Sequence, residues 1–238
     1  IKDTQKWVIF PRTSYLNHIR IEERNAKLTN ILSGNSDDEL DLSKWNKVHV
    51  CEGSGKAIVA GGVSRKYVQE YLDYNKAGFL EVGISYPFPE ELAAKFLENK
   101  DEVLVIEELS PFIERELTYV CGKYNIKCKV LGKLTGHVQC AGENIAKSVR
   151  EQLTKFGVAR EINEGNLKEI GEKPELPVRP PVLCAGCPHR ASFYAVKQAM
   201  KGKEAVFCGD IGCYTLGNAK PLDMTDTCLC MGADVTIA

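Results

Sequence analysis

The stretch Glu102-Val-Leu-Val-Ile-Glu107 is the clearest indicator of the fold class of this chain. Its four consecutive apolar residues have the length of a buried strand and are far too short to cross a membrane. Similar runs occupy Lys56–Ala60, Phe79–Ile84 and Ile126–Leu131. Strands that lack polar alternation are typical of parallel sheets, because helices cover both faces of such sheets.

Stretches with helical spacing separate these runs. They are predicted to begin with Ser64 as N-cap, to span Glu90–Asn99, to follow the Ser110-Pro111 pair, and to span Asn144–Phe156. Serine followed by proline is a favoured order at the start of a helix. The alternation of strands and helices predicts an α/β domain with a mostly parallel sheet over residues 46–163.

A proline-rich stretch, Glu164–Pro181, predicts a stiff linker between two domains. After it we expect a helix over Arg190–Met200, a strand over Ala205–Cys208, and another helix from near Cys228. Residues 182–238 are too few for a doubly wound domain, so we expect them to be its first part. Residues 1–45 are interpreted as an exit segment from a preceding domain followed by a surface loop.

The overall charge gives no sign of a nucleic-acid or anionic-membrane partner, because 31 Lys and Arg residues balance 32 Asp and Glu residues. Ten cysteines are many for a chain of 238 residues, and six of them lie in its last third. In a core-rich α/β chain this favours metal or cluster chemistry in a reducing compartment over disulfides. The chain begins with Ile1 and has no secretory signal, so we expect an internal piece of a longer cytoplasmic protein.

The segment Cys184-Ala-Gly-Cys-Pro-His-Arg190 joins a Cys-x-x-Cys pair to the start of a helix. Such a pair can hold two corners of a metal or iron–sulfur site, cycle as a dithiol, or simply form a tight turn. The spacing alone leaves these alternatives open.

Two further segments follow. Cys208-Gly-Asp-Ile-Gly-Cys-Tyr214 is placed after the predicted strand, where α/β sheets bind ligands. Thr227-Cys-Leu-Cys-Met-Gly-Ala233 supplies small residues that allow a cofactor to approach closely. Each segment alone is weak evidence, because turns and core helices use the same residues.

Taken in order, three stretches built on these segments closely resemble the diphosphate-binding domain of indolepyruvate:ferredoxin oxidoreductase alpha subunits, namely Cys184–Arg190, Gly209–Gly217 and Thr225–Ala233. Gly83–Pro89, Val105–Glu114 and Gly132–Gly136 resemble the middle domain of the same family, which is similar to the C-terminal domain of transketolases. The resemblance covers nearly the whole chain, including Val8–Pro11.

The resemblance implies oxidative decarboxylation of an aryl pyruvate, with thiamine diphosphate and Mg²⁺ as cofactors. Electrons would pass through [4Fe-4S] clusters to ferredoxin, coenzyme A would take the acyl group, and a smaller beta subunit would complete an oligomer. It also implies which residues of this chain contact the cofactor, but it assigns no catalytic residue. These contact residues are Pro188, His189, Arg190, Gly209, Asp210, Ile211, Gly212, Cys213, Tyr214, Cys230, Met231 and Gly232.

Relatives of the pyruvate type imply that Cys184, Cys187 and Cys213 are iron–sulfur ligands, although Pro188-His-Arg190 departs from their pattern. The family's acidic magnesium motif and the glutamate that activates the aminopyrimidine are absent from these 238 residues. We therefore expect the isolated chain to be inactive. Two alternatives remain: a related enzyme with another 2-oxoacid substrate, and a non-catalytic, cysteine-rich metal-binding or docking module.

Overall fold

The computed structural model describes residues 10–34, 43–161 and 174–238. The chain divides into two compact units, residues 1–166 and 167–238, which we call the first and the second unit. Within the described ranges, no helix is both long enough and apolar enough to pass through a bilayer.

The first unit contains a five-stranded sheet. Its strands are β1 (Lys47–His49), β2 (Lys56–Gly61), β3 (Gly78–Val82), β4 (Glu102–Ile106) and β5 (Lys129–Leu131). Their order across the sheet is β1-β3-β2-β4-β5. Strand β1 runs antiparallel to β3, and the other pairs are parallel. The predicted α/β class with a mostly parallel sheet is therefore confirmed.

The described residues of this unit form five α-helices: α1 (Pro11–Leu32), α2 (Ser64–Tyr71), α3 (Glu90–Leu97), α4 (Phe112–Lys123) and α5 (Ala146–Phe156). Successive residues of a strand point to opposite faces of the sheet. Val59 therefore packs in one apolar cluster with side chains of α3 and α4, and Ile58 packs in another with side chains of α2 and α5. The central strands are apolar throughout because both of their faces are covered.

Two helix starts differ from the prediction. Ser64 is the first residue of α2 and not its N-cap, and its buried hydroxyl accepts a hydrogen bond from the Asn144 side chain at 3.0 Å. Helix α4 begins at Phe112 without a serine cap. The Glu107 carboxylate instead accepts the free amides of Ile113 and Glu114, at 2.8 and 3.0 Å. A carboxylate that directly follows the preceding strand thus satisfies amides that a helix start leaves unpaired.

The second unit contains α6 (Pro188–Ala199), a 3₁₀ turn (Thr215–Asn218) and α7 (Asp234–Ile237). Leu183, Phe193 and Met224 are the buried residues of its small core, and Cys187, Phe207, Leu216 and Leu222 pack against them partly buried. The predicted strand Ala205–Cys208 is wrong, because this segment makes only an isolated bridge, between Cys208 and Thr227. The helix expected near Cys228 starts at Asp234. A strand needs a hydrogen-bonded neighbour along its length, and the described part of this unit supplies a single pairing.

Some predictions fall partly outside the described residues. Parts of the exit segment and surface loop expected over residues 1–45 are among them, and so is the first part of the Glu164–Pro181 linker. Residues 174–181 of this linker form neither helix nor strand and are exposed. This is how an extended, proline-rich segment behaves.

Candidate cofactor site

The Cys-x-x-Cys segment forms a turn that leads into α6. Cys187 is the N-cap and Pro188 the first helical residue, so the proline occupies a position where no amide is needed. The Arg190 side chain donates to the carbonyl oxygen of Cys184 at 3.0 Å and to that of Leu183. Its guanidinium group therefore holds the turn in place.

His189 connects this turn to the glycine-rich loop that follows. Its Nδ1 atom lies 3.2 Å from Sγ of Cys187. Its ring meets the ring of Tyr214 edge-on, with 4.9 Å between centroids, and Tyr214 meets Phe193 in the same way at 5.8 Å. Edge-to-face contacts at these distances stabilise aromatic pairs. The first two sequence motifs are thus in contact.

Asp210 connects the second motif to the third. Its Oδ1 atom accepts the amide of Ile211 at 2.7 Å and the amide of Gly232 at 2.8 Å. Gly232 has a φ of +80°, a conformation that favours glycine. One carboxylate oxygen therefore joins two loops that are separated by 22 residues in the sequence.

Two threonines of the matched motifs, to which the sequence assigned no role, complete the framework. The hydroxyl of Thr215 donates to the Asp210 carbonyl at 3.0 Å and lies 3.3 Å from Sγ of Cys228. The hydroxyl of Thr225 donates to the Tyr214 carbonyl at 2.9 Å. Hydroxyl residues close to a glycine turn are common partners of its free backbone groups, and that signal could have indicated Thr215.

The loops leave a surface that suits an organic cofactor. Side chains around the glycine turns are exposed, among them Ile211, Tyr214 and Met231. A Cβ atom added at Gly212 or Gly232 would meet nothing within 4 Å, so the backbone there is open to a ligand. Gly209 differs, because a Cβ there would lie 2.4 Å from the Thr225 methyl group. The backbone at Gly212 and Gly232 is therefore open to an organic ligand.

The three cysteines implied as cluster ligands do not converge. In the part of the chain that the structure describes, no three His, Cys, Asp or Glu side chains have a geometry that could hold a metal ion. Cys184 and Cys187 share one turn, in which the Cys187 amide donates to the Cys184 carbonyl at 3.2 Å. An iron–sulfur cluster that includes Cys213 stays a prediction.

Comparison with curated proteins identifies relatives along the whole chain. The indolepyruvate oxidoreductase subunit IorA of Methanothermobacter thermautotrophicus is 32% identical over 250 residues, which are 98% of this chain and 37% of that protein. The subunit of the same name from Pyrococcus horikoshii is 34% identical over 243 residues, which are 100% of this chain and 36% of that protein. The chain therefore spans little more than a third of the length of these relatives.

Two other comparisons add little. No protein-family model matches the chain. Among solved structures, a split-gene transketolase in an inactive β4 tetramer is 19% identical, with a TM-score of 0.35 over 48% of this chain and 42% of that chain. Such a score is too low to support a topology, which rests instead on the strand pairing described above.

Proposed function

Because this chain belongs to the family of indolepyruvate oxidoreductase subunits named IorA, we propose that it forms part of an enzyme that oxidatively decarboxylates aryl pyruvates. Indolepyruvate is the substrate that the relatives' name suggests. The observation that supports this proposal most is the hydrogen bond from the Gly232 amide to Asp210, because it joins two of the three motifs on which the resemblance rests.

Thiamine diphosphate is the cofactor we propose for the second unit, where it would act as the electron sink for loss of carbon dioxide. Gly209–Tyr214 and Cys230–Gly232 would hold it. Pro188 and His189 would support these loops from the start of α6. The proposed task of Arg190 is to fix the turn below them, since its guanidinium group already donates to two carbonyl oxygens. Other parts of the enzyme would supply the Mg²⁺ ligands.

Asp210 has a positioning role in this proposal. Its carboxylate keeps the Ile211 and Gly232 amides in a fixed relation, so both loops are arranged before the cofactor arrives. Preorganisation of this kind lowers the entropic cost of binding and holds reacting atoms in line. The exposed apolar side chains beside it would exclude water from the cofactor ring.

A smaller subunit, ferredoxin and coenzyme A are the proposed partners, and Cys184, Cys187 and Cys213 the proposed ligands of the nearest iron–sulfur cluster. The iron content of the native protein tests the ligand assignment. If Cys213→Ser, prepared anaerobically, retains as much iron per protein as Cys140→Ser, the assignment of Cys213 is wrong.

The reaction itself is tested with the native protein that contains this chain, purified anaerobically together with its small subunit. We expect reduction of a viologen dye that requires both coenzyme A and a 2-oxoacid. The ratio kcat/KM should be at least about tenfold higher for indolepyruvate than for pyruvate, because an aryl group buries more apolar surface. A higher ratio for pyruvate would contradict the substrate assignment but leave the reaction class intact.

A further inference from the structure

A small basic pocket in the first unit has no part in the proposed reaction. Its volume is about 360 Å³, and its lining residues are Lys44, Trp45, Lys47, Arg65, Lys66 and Glu81. We call it the basic pocket. Four cations and one carboxylate surround it, although the whole chain carries nearly equal numbers of basic and acidic residues. Its charge is therefore a local feature and not a consequence of composition.

The single carboxylate offsets only part of the charge of these cations. Glu81 is buried, and its two oxygens accept hydrogen bonds from Nε2 of His49 at 2.8 Å and from the Gln69 side chain at 2.6 Å. Burial works to raise the pKa of Glu81, but the hydrogen bonds from His49 and Gln69, together with the charges of His49 and Lys47, outweigh it and lower the pKa. Four cations against this one carboxylate leave the pocket with a net positive charge.

Arg65 is the residue that most clearly needs an anion. Its Nε atom is buried and has no hydrogen-bond partner among the described residues. A buried donor without a partner costs about 1–3 kcal/mol, so its presence in a folded protein calls for an explanation. Arginine is also the side chain best suited to bind phosphate oxygens in pairs.

The position of Arg65 and Lys66 at the start of a helix also favours a bound anion. Both belong to the first turn of α2, which contains no acidic residue and no side-chain cap. Cations at a helix N-terminus face the positive end of the helix dipole and destabilise the helix, whereas an anion there stabilises it. An anion bound in the basic pocket would offset this repulsion.

The pocket is also rigidly built. Oδ1 of Asn46 accepts the amides of Gly83 and Ile84 at 2.9 and 3.0 Å, which fixes the turn that carries Trp45 against the end of β3. A Cβ atom at Gly83 would lie 2.1 Å from the Trp45 carbonyl oxygen and 2.7 Å from Nη1 of Arg65. Only glycine leaves room there for both groups.

We propose that the basic pocket binds a phosphate or diphosphate group of a small molecule. Its volume is at the lower end for ligand sites and suits a compact anionic group better than a whole nucleotide. Lys44 and Lys47 would contribute attraction from the rim, while Arg65 would make directed hydrogen bonds. The indole of Trp45, which is 49% exposed, would flank the ligand.

The chain offers a direct reporter for this proposal, since Trp45 is one of only two tryptophans. In the 238-residue chain that carries Trp7→Phe, tryptophan fluorescence comes from Trp45 alone. Inorganic pyrophosphate is titrated at constant ionic strength, with sodium chloride as the compensating salt. We expect a saturable change with a dissociation constant below about 1 mM. No saturable change up to about 10 mM would overturn the proposal.

A matched pair of double variants separates a site from general charge. Lys47→Gln combined with Arg65→Gln should weaken pyrophosphate binding by at least about tenfold, because two charge-assisted contacts are lost. Arg115→Gln combined with Lys147→Gln removes the same charge from exposed positions and should leave the affinity unchanged. Equal loss in both double variants would overturn the proposal, provided that circular dichroism shows all variants folded.

The acidic residues upstream of the pocket provide a further control. Asp37, Asp38, Glu39 and Asp41 precede Lys44 closely in the sequence. If pyrophosphate binds only after these four are replaced by amides, the pocket serves the chain's own acidic segment and the proposal fails. Unchanged affinity after their replacement would support a site for an external phosphate.

Discussion

The two units differ in how they use apolar side chains. In the first unit, central strands such as β4 place consecutive apolar residues in two separate cores, and Phe79 and Leu104 are almost fully buried. In the second unit three apolar residues form the core, while Val206, Leu229 and Val235 are each more than 70% exposed. The first unit is held by its own packing, whereas the second is held mainly by hydrogen bonds between loops.

The large packed core and the motifs that suggest a function therefore lie in different units. The motifs on which the functional proposal rests all lie in the unit with the small core, where Asp210 and Thr215 hold the backbone through side-chain hydrogen bonds. Loops of this kind carry binding residues more often than packed elements do. Apolar side chains that are exposed in this unit, such as Val235, are available to a packing partner.

The largest expected contrast concerns cysteine reactivity. Burial, aided by nearby negative groups, raises the pKa of Cys128 in the first unit to about 12, whereas Cys184 in the second unit is exposed. At a fixed pH, a thiol whose pKa is three units above the ordinary value has about a thousandfold less thiolate, the reactive form. In the 238-residue chain prepared without iron, we expect Cys128 to be alkylated by iodoacetamide at least about a hundredfold more slowly than Cys184, as measured by peptide mass spectrometry.

Cys140 is the control for this comparison, because it is exposed but belongs to the first unit. It should react at a rate similar to that of Cys184. If Cys128 and Cys140 react within a factor of about three of each other, the first unit is not packed as described.

A second contrast compares two core phenylalanines. Phe79 is fully buried between a sheet and helices, and Phe193 is 7% exposed in a core of three residues. Phe79→Ala should lower the free energy of unfolding of the first unit by about 3–5 kcal/mol. Phe193→Ala should lower that of the second unit by about 1–3 kcal/mol, because fewer packed neighbours surround the space it leaves.

Native-state hydrogen exchange resolves these effects, because amides of β3 report on the first unit and amides of α6 on the second. Val206 is 71% exposed, so Val206→Ala should change the free energy of unfolding of either unit by no more than about 0.5 kcal/mol. A larger loss for Phe193→Ala than for Phe79→Ala would reverse the comparison between the units.

The smallest expected effect is a pH dependence within the first unit. Burial raises the pKa of Glu107 above its ordinary value of 4.5, although the amides of Ile113 and Glu114 partly oppose the shift. The folded state then holds this proton more tightly than the unfolded chain, so its contribution to stability is present below pH 4.5 and is lost as pH rises through the folded-state pKa.

Glu107→Gln removes this titration. As pH rises from about 4 to about 7, the wild-type chain should lose stability relative to the variant. The urea midpoint of the variant minus that of the wild-type chain should therefore increase over this range, and other titrating groups cancel in this difference. A difference that stays constant over this range, or shifts toward the wild-type chain, would show that the shift in the pKa of Glu107 is absent or has the opposite sign.

The fold of the first unit could be predicted because β2, β3 and β4 each appear in the sequence as a continuous apolar run. Strand β1 was missed, since three partly exposed residues carry no such pattern. The capping of α4 by Glu107 could not be predicted either, because it joins residues six and seven positions apart across a turn.

The site was less predictable than the fold. The order of the motifs indicated Asp210 and Gly232 as site residues. Their hydrogen bond could not be predicted, because it depends on how two loops distant in the sequence come together. The strand expected at Ala205–Cys208 was wrong for a related reason, since apolar residues form a strand only where a neighbour accepts their hydrogen bonds. The basic pocket was missed because its cations come from two separate segments of the chain.

The most direct test of the central claim is the affinity of the native enzyme for thiamine diphosphate, measured by calorimetry in the presence of Mg²⁺. Asp210→Ala should weaken binding by about 10- to 100-fold, because the two loops lose the carboxylate that joins them. Glu204→Ala, which removes an exposed carboxylate from the same unit, should bind like the wild-type enzyme. Equal affinity of Asp210→Ala and the wild-type enzyme would contradict the account.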